Sequence, residues 1–93
     1  MPAMRRLSED EIAGRLASVP GWERTGEWLR RTYKFETFPL AIAFVNRVAE
    51  AAEALDHHPD ITIEYTKVTL RLTTHDASGL TASDFTLATR IGV

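Results

Sequence analysis

The chain has 93 residues, 44% hydrophobic and 26% charged, with a formal net charge of -2. That composition is ordinary for a globular protein, and the length supports one core, so a single domain over residues 1–93 is expected. The charge balance argues against nucleic acid as a direct partner, since Arg5-Arg6 and Arg30-Arg31 are isolated pairs and not a basic stripe.

The start, Met1 to Arg6, leads into a polar helix and not an apolar run, so no signal peptide is expected. Ser8 with Glu11 three residues on is a capping-box pattern, and Ile12 and Leu16 supply an apolar stripe. Pro20-Gly21 ends that helix. Trp22 to Arg24 reads as a short strand, with Thr25-Gly26-Glu27 as the turn. Leu29, Tyr33 and Phe35 then alternate with Arg30, Thr32 and Lys34, which predicts a half-buried strand. Arg31 is its weak point, because it has the apolar parity.

The longest helix is predicted over Phe38 to Leu55, with Pro39 in its first turn. Its buried stripe is read as Leu40, Ala41, Phe44, Val45, Val48, Ala52 and Leu55. His57-His58-Pro59 ends it, because a residue before proline is driven out of the helical region. No stretch is long and apolar enough to span a bilayer, and the cytoplasm is the expected location. Ile61, Ile63 and Tyr65 alternate with polar residues, as do Val68, Leu70 and Leu72, which predicts a two-strand hairpin. His75 to Gly79 reads as a loop. Thr81 caps a last helix, with Asp84 at capping-box spacing and Phe85, Leu87, Ala88 and Ile91 turned inward. The chain stops at Val93, so a longer C-terminal tail is not expected. The order α-β-β-α-β-β-α predicts an α+β two-layer sandwich, a four-stranded antiparallel sheet with helices on one face.

All three histidines, His57, His58 and His75, fall within one short window, two of them adjacent. Histidine exchanges protons near neutrality, with an unperturbed pKa of ~6.5. Glu53 stands four residues before His57, so a persisting helix puts both on one side, where the carboxylate can fix the imidazole tautomer. Alone, Glu53 reads better as a solvated charge and Asp84 as a residue serving the helix dipole. His57-His58 reads as well as a helix C-terminal cap as a functional pair, and a lone His75 as ordinary surface. Zinc is disfavoured, because neither a His-x-x-x-His nor a cysteine pair is present. The absence of cysteine also removes disulfides and thiolate chemistry.

Glu53, His57-His58-Pro59, Tyr65, His75 and Asp84 together form a spaced pattern that resembles the pterin-4a-carbinolamine dehydratases, also known as dimerisation cofactors of a homeodomain transcription factor. The strings Tyr65-Thr66-Lys67-Val68, Thr74 to Leu80, Gly21-Trp22 and Phe44 to Ala49 are also similar to that family, so the likeness covers nearly the whole chain.

The resemblance implies removal of water from 4a-hydroxytetrahydropterin (4a-hydroxytetrahydrobiopterin) to give quinonoid dihydropterin. That reaction regenerates the pterin of aromatic amino-acid hydroxylases. It implies His57, His58 and His75 as the catalytic set, with His57 and His75 moving protons and His58 orienting the pterin. Glu53, Pro59, Thr74, Asp76 and Ala77 are the further implied substrate-binding residues. Glu53 and Asp84 are implied to tune the imidazoles from behind. Tyr65 is expected in the core or the pocket wall. No metal and no cofactor are implied, since the pterin is the substrate. Homodimers or homotetramers are implied, built through strand edges and the long helix. The alternative is a non-catalytic assembly or coactivator-type interaction module on the same fold, because fold does not fix function.

Overall fold

Ser8 starts α1 (Glu9–Leu16) as its sequence predicts, its hydroxyl accepting the Glu11 N–H while the Glu11 carboxylate accepts the Ser8 N–H. In this computed structural model, which describes residues 5–92, the chain continues as β1 (Glu23–Thr25), β2 (Trp28–Lys34), α2 (Phe38–Leu55), β3 (Asp60–Glu64), β4 (Lys67–Leu72) and α3 (Ala82–Ile91). Met1 to Met4, which belong to the segment read against a signal peptide, and Val93, where the C-terminal reading falls, lie outside the described residues.

The four strands form one antiparallel sheet in the order β1-β2-β4-β3. Register follows the hydrophobic alternation: Leu29 faces Leu72 and Tyr33 faces Val68 across β2 and β4. Leu29, Val68, Leu70 and Leu72 are completely buried and meet Ala41, Phe44, Val48 and Ala52 of α2, with Ile12, Phe85, Leu87 and Ala88 completing the core. Each such aliphatic side chain contributes about 1.5–3 kcal/mol by leaving water. The other face of the sheet carries Arg30, Thr62, Glu64 and Arg71, all exposed. The α+β architecture and its α-β-β-α-β-β-α order are those read from the sequence.

Arg31 resolves its own anomaly. It keeps the inward parity, but its guanidinium lies 4.5 Å from the Tyr33 ring centroid and donates to the Pro20 carbonyl at 3.1 Å. The stem is therefore packed while the charge reaches acceptors at the margin. Gly21 is required beside it: its φ is 91°, and a Cβ there would meet the Arg31 guanidinium at 2.8 Å.

Several local expectations differ. Trp22 is buried but precedes β1, which begins at Glu23, and Trp28 belongs to β2. Leu40 is 52% exposed, because the stripe centres on Ala41, Phe44, Val48 and Ala52 and Leu40 lies about 100° around the helix from Ala41. Tyr65 is in neither core nor pocket wall. β3 ends at Glu64, and Tyr65 turns the chain with φ 55°, standing 74% exposed and stacked on Phe38 at 6.4 Å. A positive φ breaks the alternation that placed Tyr65 with Ile61 and Ile63.

Candidate active site

The site begins with how α2 stops. Asp56 takes the left-handed conformation, φ 50° and ψ 45°. The His57 N–H then bonds Ala52 O at 3.0 Å and the Asp56 N–H bonds Glu53 O at 3.3 Å, the paired bonds of a Schellman ending. Asp is among the few side chains that accept this backbone. The reversal decides which carboxylate each histidine meets. The sequence spacing paired Glu53 with His57, which requires the helix to persist. Because the chain reverses at Asp56, His58 folds back onto Glu53 instead, Nε2 to Oε2 at 2.5 Å, and His57 turns to Asp84, Nε2 to Oδ1 at 2.6 Å.

Asp84 does far more than serve the dipole of α3. It is completely buried. Its Oδ2 accepts the Thr81 N–H at 3.0 Å and the Thr74 hydroxyl at 2.8 Å. The Thr74 and Thr81 hydroxyls are 2.8 Å apart, and Thr81 Oγ1 accepts the Ser83 N–H. Since Thr74 gives its proton to Asp84, Thr81 gives its own to Thr74. Only donors face the carboxylate, as a buried charge requires. The His57 nitrogen that meets Asp84 is then the protonated one, and Nδ1 is left with a lone pair.

His75 opens a single 3-10 turn, His75–Ala77, where a loop was expected. The turn is closed by Ala77 N–H to Thr74 O at 3.1 Å and Ser78 N–H to His75 O at 3.0 Å, and Thr74 and Gly79 pair as an isolated antiparallel bridge. Glu27 ties this segment to the β1–β2 turn. Its Oε1 accepts the Leu80 N–H at 3.0 Å, its Oε2 pairs with Arg6 at 2.9 Å, and its backbone carbonyl accepts the Thr73 hydroxyl at 2.5 Å. The Leu80 N–H bond, with Arg6 and Arg24 adding to it against some desolvation, holds the Glu27 carboxyl below its ordinary range.

His57, His58, Thr74, His75 and Asp76 line one open cleft of about 270 Å³, together with Asp56 and Thr73. Two larger hollows lie elsewhere, of about 480 Å³ beside Trp22 and Arg31 and about 360 Å³ beside Phe85 and Arg90, but neither is lined by a histidine. Glu53, Pro59 and Ala77 stand outside this lining. Glu53 holds His58, Pro59 leads into β3, and Ala77 closes the 3-10 turn. Two neighbours escaped the sequence reading, Glu27 and Trp28. The signal for Trp28 was present: it shares parity with Arg30, Thr32 and Lys34, a large aromatic on a polar face. Among the described residues no group of three His, Cys, Asp or Glu side chains converges as metal ligands. Chemically the cleft offers two imidazoles backed by carboxylates and a third beside them, a set suited to moving protons.

Residues 5–92 match the family model described as pterin 4 alpha carbinolamine dehydratase. The chain belongs to that family. A relative in Thermomicrobium roseum, provisionally named a pterin-4-alpha-carbinolamine dehydratase, is 56% identical over 88 residues, 95% of each chain. One of the same name in a Roseiflexus species is 58% identical over 86 residues, 92% of each chain. Among solved structures, a transcriptional coactivator/pterin dehydratase from Brucella melitensis superposes with a TM-score of 0.89 at 35% identity, covering 94% of this chain and 95% of that one. A pterin dehydratase-like protein described as a RuBisCO assembly factor of the alpha-carboxysome shares the fold, with a TM-score of 0.61 at 20% identity over 75% of this chain and 81% of its own.

Proposed function

We propose that this protein dehydrates 4a-hydroxytetrahydropterin to quinonoid dihydropterin by histidine acid/base catalysis, restoring the pterin used by aromatic amino-acid hydroxylases. The observation that carries this reading is His57, locked by a buried carboxylate in the same cleft as His58 and His75.

The reaction breaks the C4a–O bond and forms the C4a=N5 bond. One group gives a proton to the departing hydroxyl, which leaves as water. Another accepts the N5 proton, so the balance closes with no cofactor. With its Nε2–H held by Asp84, His57 presents Nδ1 to the substrate and accepts the N5 proton there. Asp84 then faces the imidazolium, which it stabilises. His75, at the open side of the cleft, gives the proton to the leaving oxygen. Each such transfer is typically worth about 10²–10⁴-fold. His58 gives its Nε2–H to Glu53, so its Nδ1 is left to accept a hydrogen bond from the pterin and orient it. An interaction module on this fold would need Asp84 for the start of α3, but not three imidazoles gathered at one cleft, which favours the catalytic reading.

A second copy of the chain is the macromolecular partner we propose. Among the described residues β3 pairs only with β4 and leaves its outer edge open, and the exposed apolar residues Ile63, Tyr65, Phe38 and Leu40 lie on or beside the ends of β3 and α2. Sedimentation of the purified chain tests this: an assembly is expected, and a monomer at all concentrations overturns it.

The enzymatic test is the dehydration rate of 4a-hydroxytetrahydropterin followed by absorbance. The native protein should exceed the uncatalysed rate, and His75→Ala should lower kcat by about 10²-fold or more with an unchanged thermal midpoint. A native protein no faster than background overturns the dehydratase reading.

A further inference from the structure

Three histidines meet in the cleft, but they are held in two different ways. His57 and His58 each give a ring nitrogen to a carboxylate. Among the described residues the His75 ring has no hydrogen-bonding partner. Its ordered neighbour is an aromatic: the Trp28 ring stands 5.8 Å away, centroid to centroid, with the planes 76° apart. An edge-to-face pair of this kind is attractive and fixes the mutual orientation of both rings.

Trp28 is itself constrained. The Arg71 guanidinium lies 4.4 Å from its centroid, and Arg71 is paired in turn with Asp60 at 3.2 Å. Register places Asp60 opposite Arg71 and Arg71 opposite Arg30, so β3, β4 and β2 each contribute to this outer face of the sheet. The hydrogen bond from the Thr73 hydroxyl to the Glu27 carbonyl fastens the chain immediately before Trp28 to the chain immediately before Thr74 and His75. Strand β2, paired on both edges, is the support, and the turn it faces carries His75 exposed.

We infer that Trp28 is a positioning residue for His75, the aromatic counterpart of the carboxylates behind His57 and His58. The inference rests on the dehydratase reading for its consequence in turnover, although the ring-to-ring contact is independent of it. Asp60, Arg71 and Trp28 form a relay of packing from the sheet face to the imidazole. The flat indole limits rotation of the His75 ring, which lines the cleft. A histidine that must deliver its proton to one oxygen gains from that restriction.

Two readouts on the full chain test the inference. In the first, kcat and KM for 4a-hydroxytetrahydropterin are measured for native protein, Trp28→Ala, Trp28→Phe and His75→Ala. Trp28→Ala should lower kcat about tenfold with KM changed by less than about twofold, because misorientation acts on the chemical step. Trp28→Phe should restore most of that loss. In the second, the ring carbon-bound protons of the three histidines are observed by NMR, with His75 identified from its disappearance in His75→Ala. The indole ring current should displace the His75 signals, and Trp28→Ala should return them toward free-imidazole positions while those of His57 and His58 stay. Unmoved His75 signals overturn the contact. Unchanged kcat in Trp28→Ala, with His75→Ala inactive, overturns the positioning role alone. If His75→Ala retains full turnover, it is the catalytic assignment of His75 that fails, and the role inferred for Trp28 in turnover falls with it while the contact stands or falls on the NMR result.

Discussion

Two histidine–carboxylate pairs in this cleft have almost the same length and almost nothing else in common. His57 and Asp84 meet at 2.6 Å with side-chain exposures of 14% and 0%; His58 and Glu53 meet at 2.5 Å with exposures of 54% and 78%. Distance therefore does not rank them. The exposed pair exchanges water for a partner and is screened by salt, so little free energy is at stake. The buried pair has no water to return to. Asp84 depends on His57, Thr74 and Thr81 for every hydrogen bond it makes, and the loss of any one leaves a buried polar group unmatched. Stability and chemistry are joined at Asp84 and separable at Glu53.

The largest expected effect comes from breaking the buried member. Asp84→Ala should lower stability by about 3–5 kcal/mol in urea unfolding, because it orphans the Thr81 N–H, the Thr74 hydroxyl and His57 together. Asp84→Asn sharpens the result. The amide keeps the shape, and its oxygen can still accept from Thr74 and Thr81, which turns its NH2 toward His57. His57 must then accept at Nε2 and carry its proton on Nδ1, the wrong tautomer for taking one from the pterin. Turnover should fall by about 10²–10³-fold, with much of the fold stability retained. An Asp84→Asn protein that is folded and fully active would dissolve the distinction between the two pairs.

Glu27 lies between those extremes, at 28% side-chain exposure, and tests whether partial burial gives an intermediate effect. Its folded carboxyl titrates below the ordinary value of 4.5, chiefly because the Leu80 N–H bonds the charged form. A depressed carboxyl stabilises the fold fully above its unfolded pKa, and that contribution is lost as pH falls through the folded value. Glu27→Gln should therefore lower stability at neutral pH by about 1 kcal/mol, and the gap to the native protein should close as pH falls below 4.5. Urea midpoints measured along the pH range check both the size and the sign; a gap that widens toward acid is the opposite of what is expected.

What could be read beforehand follows from the same physics. Alternation and three-to-four spacing located β2, α2, β3 and β4, because they report burial directly, and capping boxes marked α1 and α3, while β1 was read one residue early as Trp22 to Arg24. The histidine window was visible as residues, and the family resemblance set His57, His58, His75 and Asp84 side by side. Their pairing was not visible. One left-handed residue, Asp56, exchanges the partners of His57 and His58, and a spacing rule that assumes an unbroken helix cannot register it. Asp84 looked like a helix-start carboxylate, which it also is; its burial depends on Thr74 arriving from β4. Tyr65 was misplaced by the same kind of event, a positive φ that ended an alternation one residue early. Trp28 could not be tied to His75 from order alone, since that contact needs the strand pairing of β2 with β4.

The smallest expected effect belongs to Glu53→Gln, and it is the most discriminating. Both members of the Glu53–His58 pair stand in solvent, so removing the charge should leave the thermal midpoint unmoved. The amide can still accept the His58 Nε2–H through its oxygen, so the imidazole is still turned the same way. If Glu53 acts only as a hinge for an orienting His58, then KM for the pterin should rise by no more than about threefold and kcat should hold, the pattern of lost uniform binding. If instead kcat falls as far as in Asp84→Asn, the exposed pair is carrying a proton after all. His58 would then share the chemistry assigned to His57, and burial would no longer be what separates the two pairs.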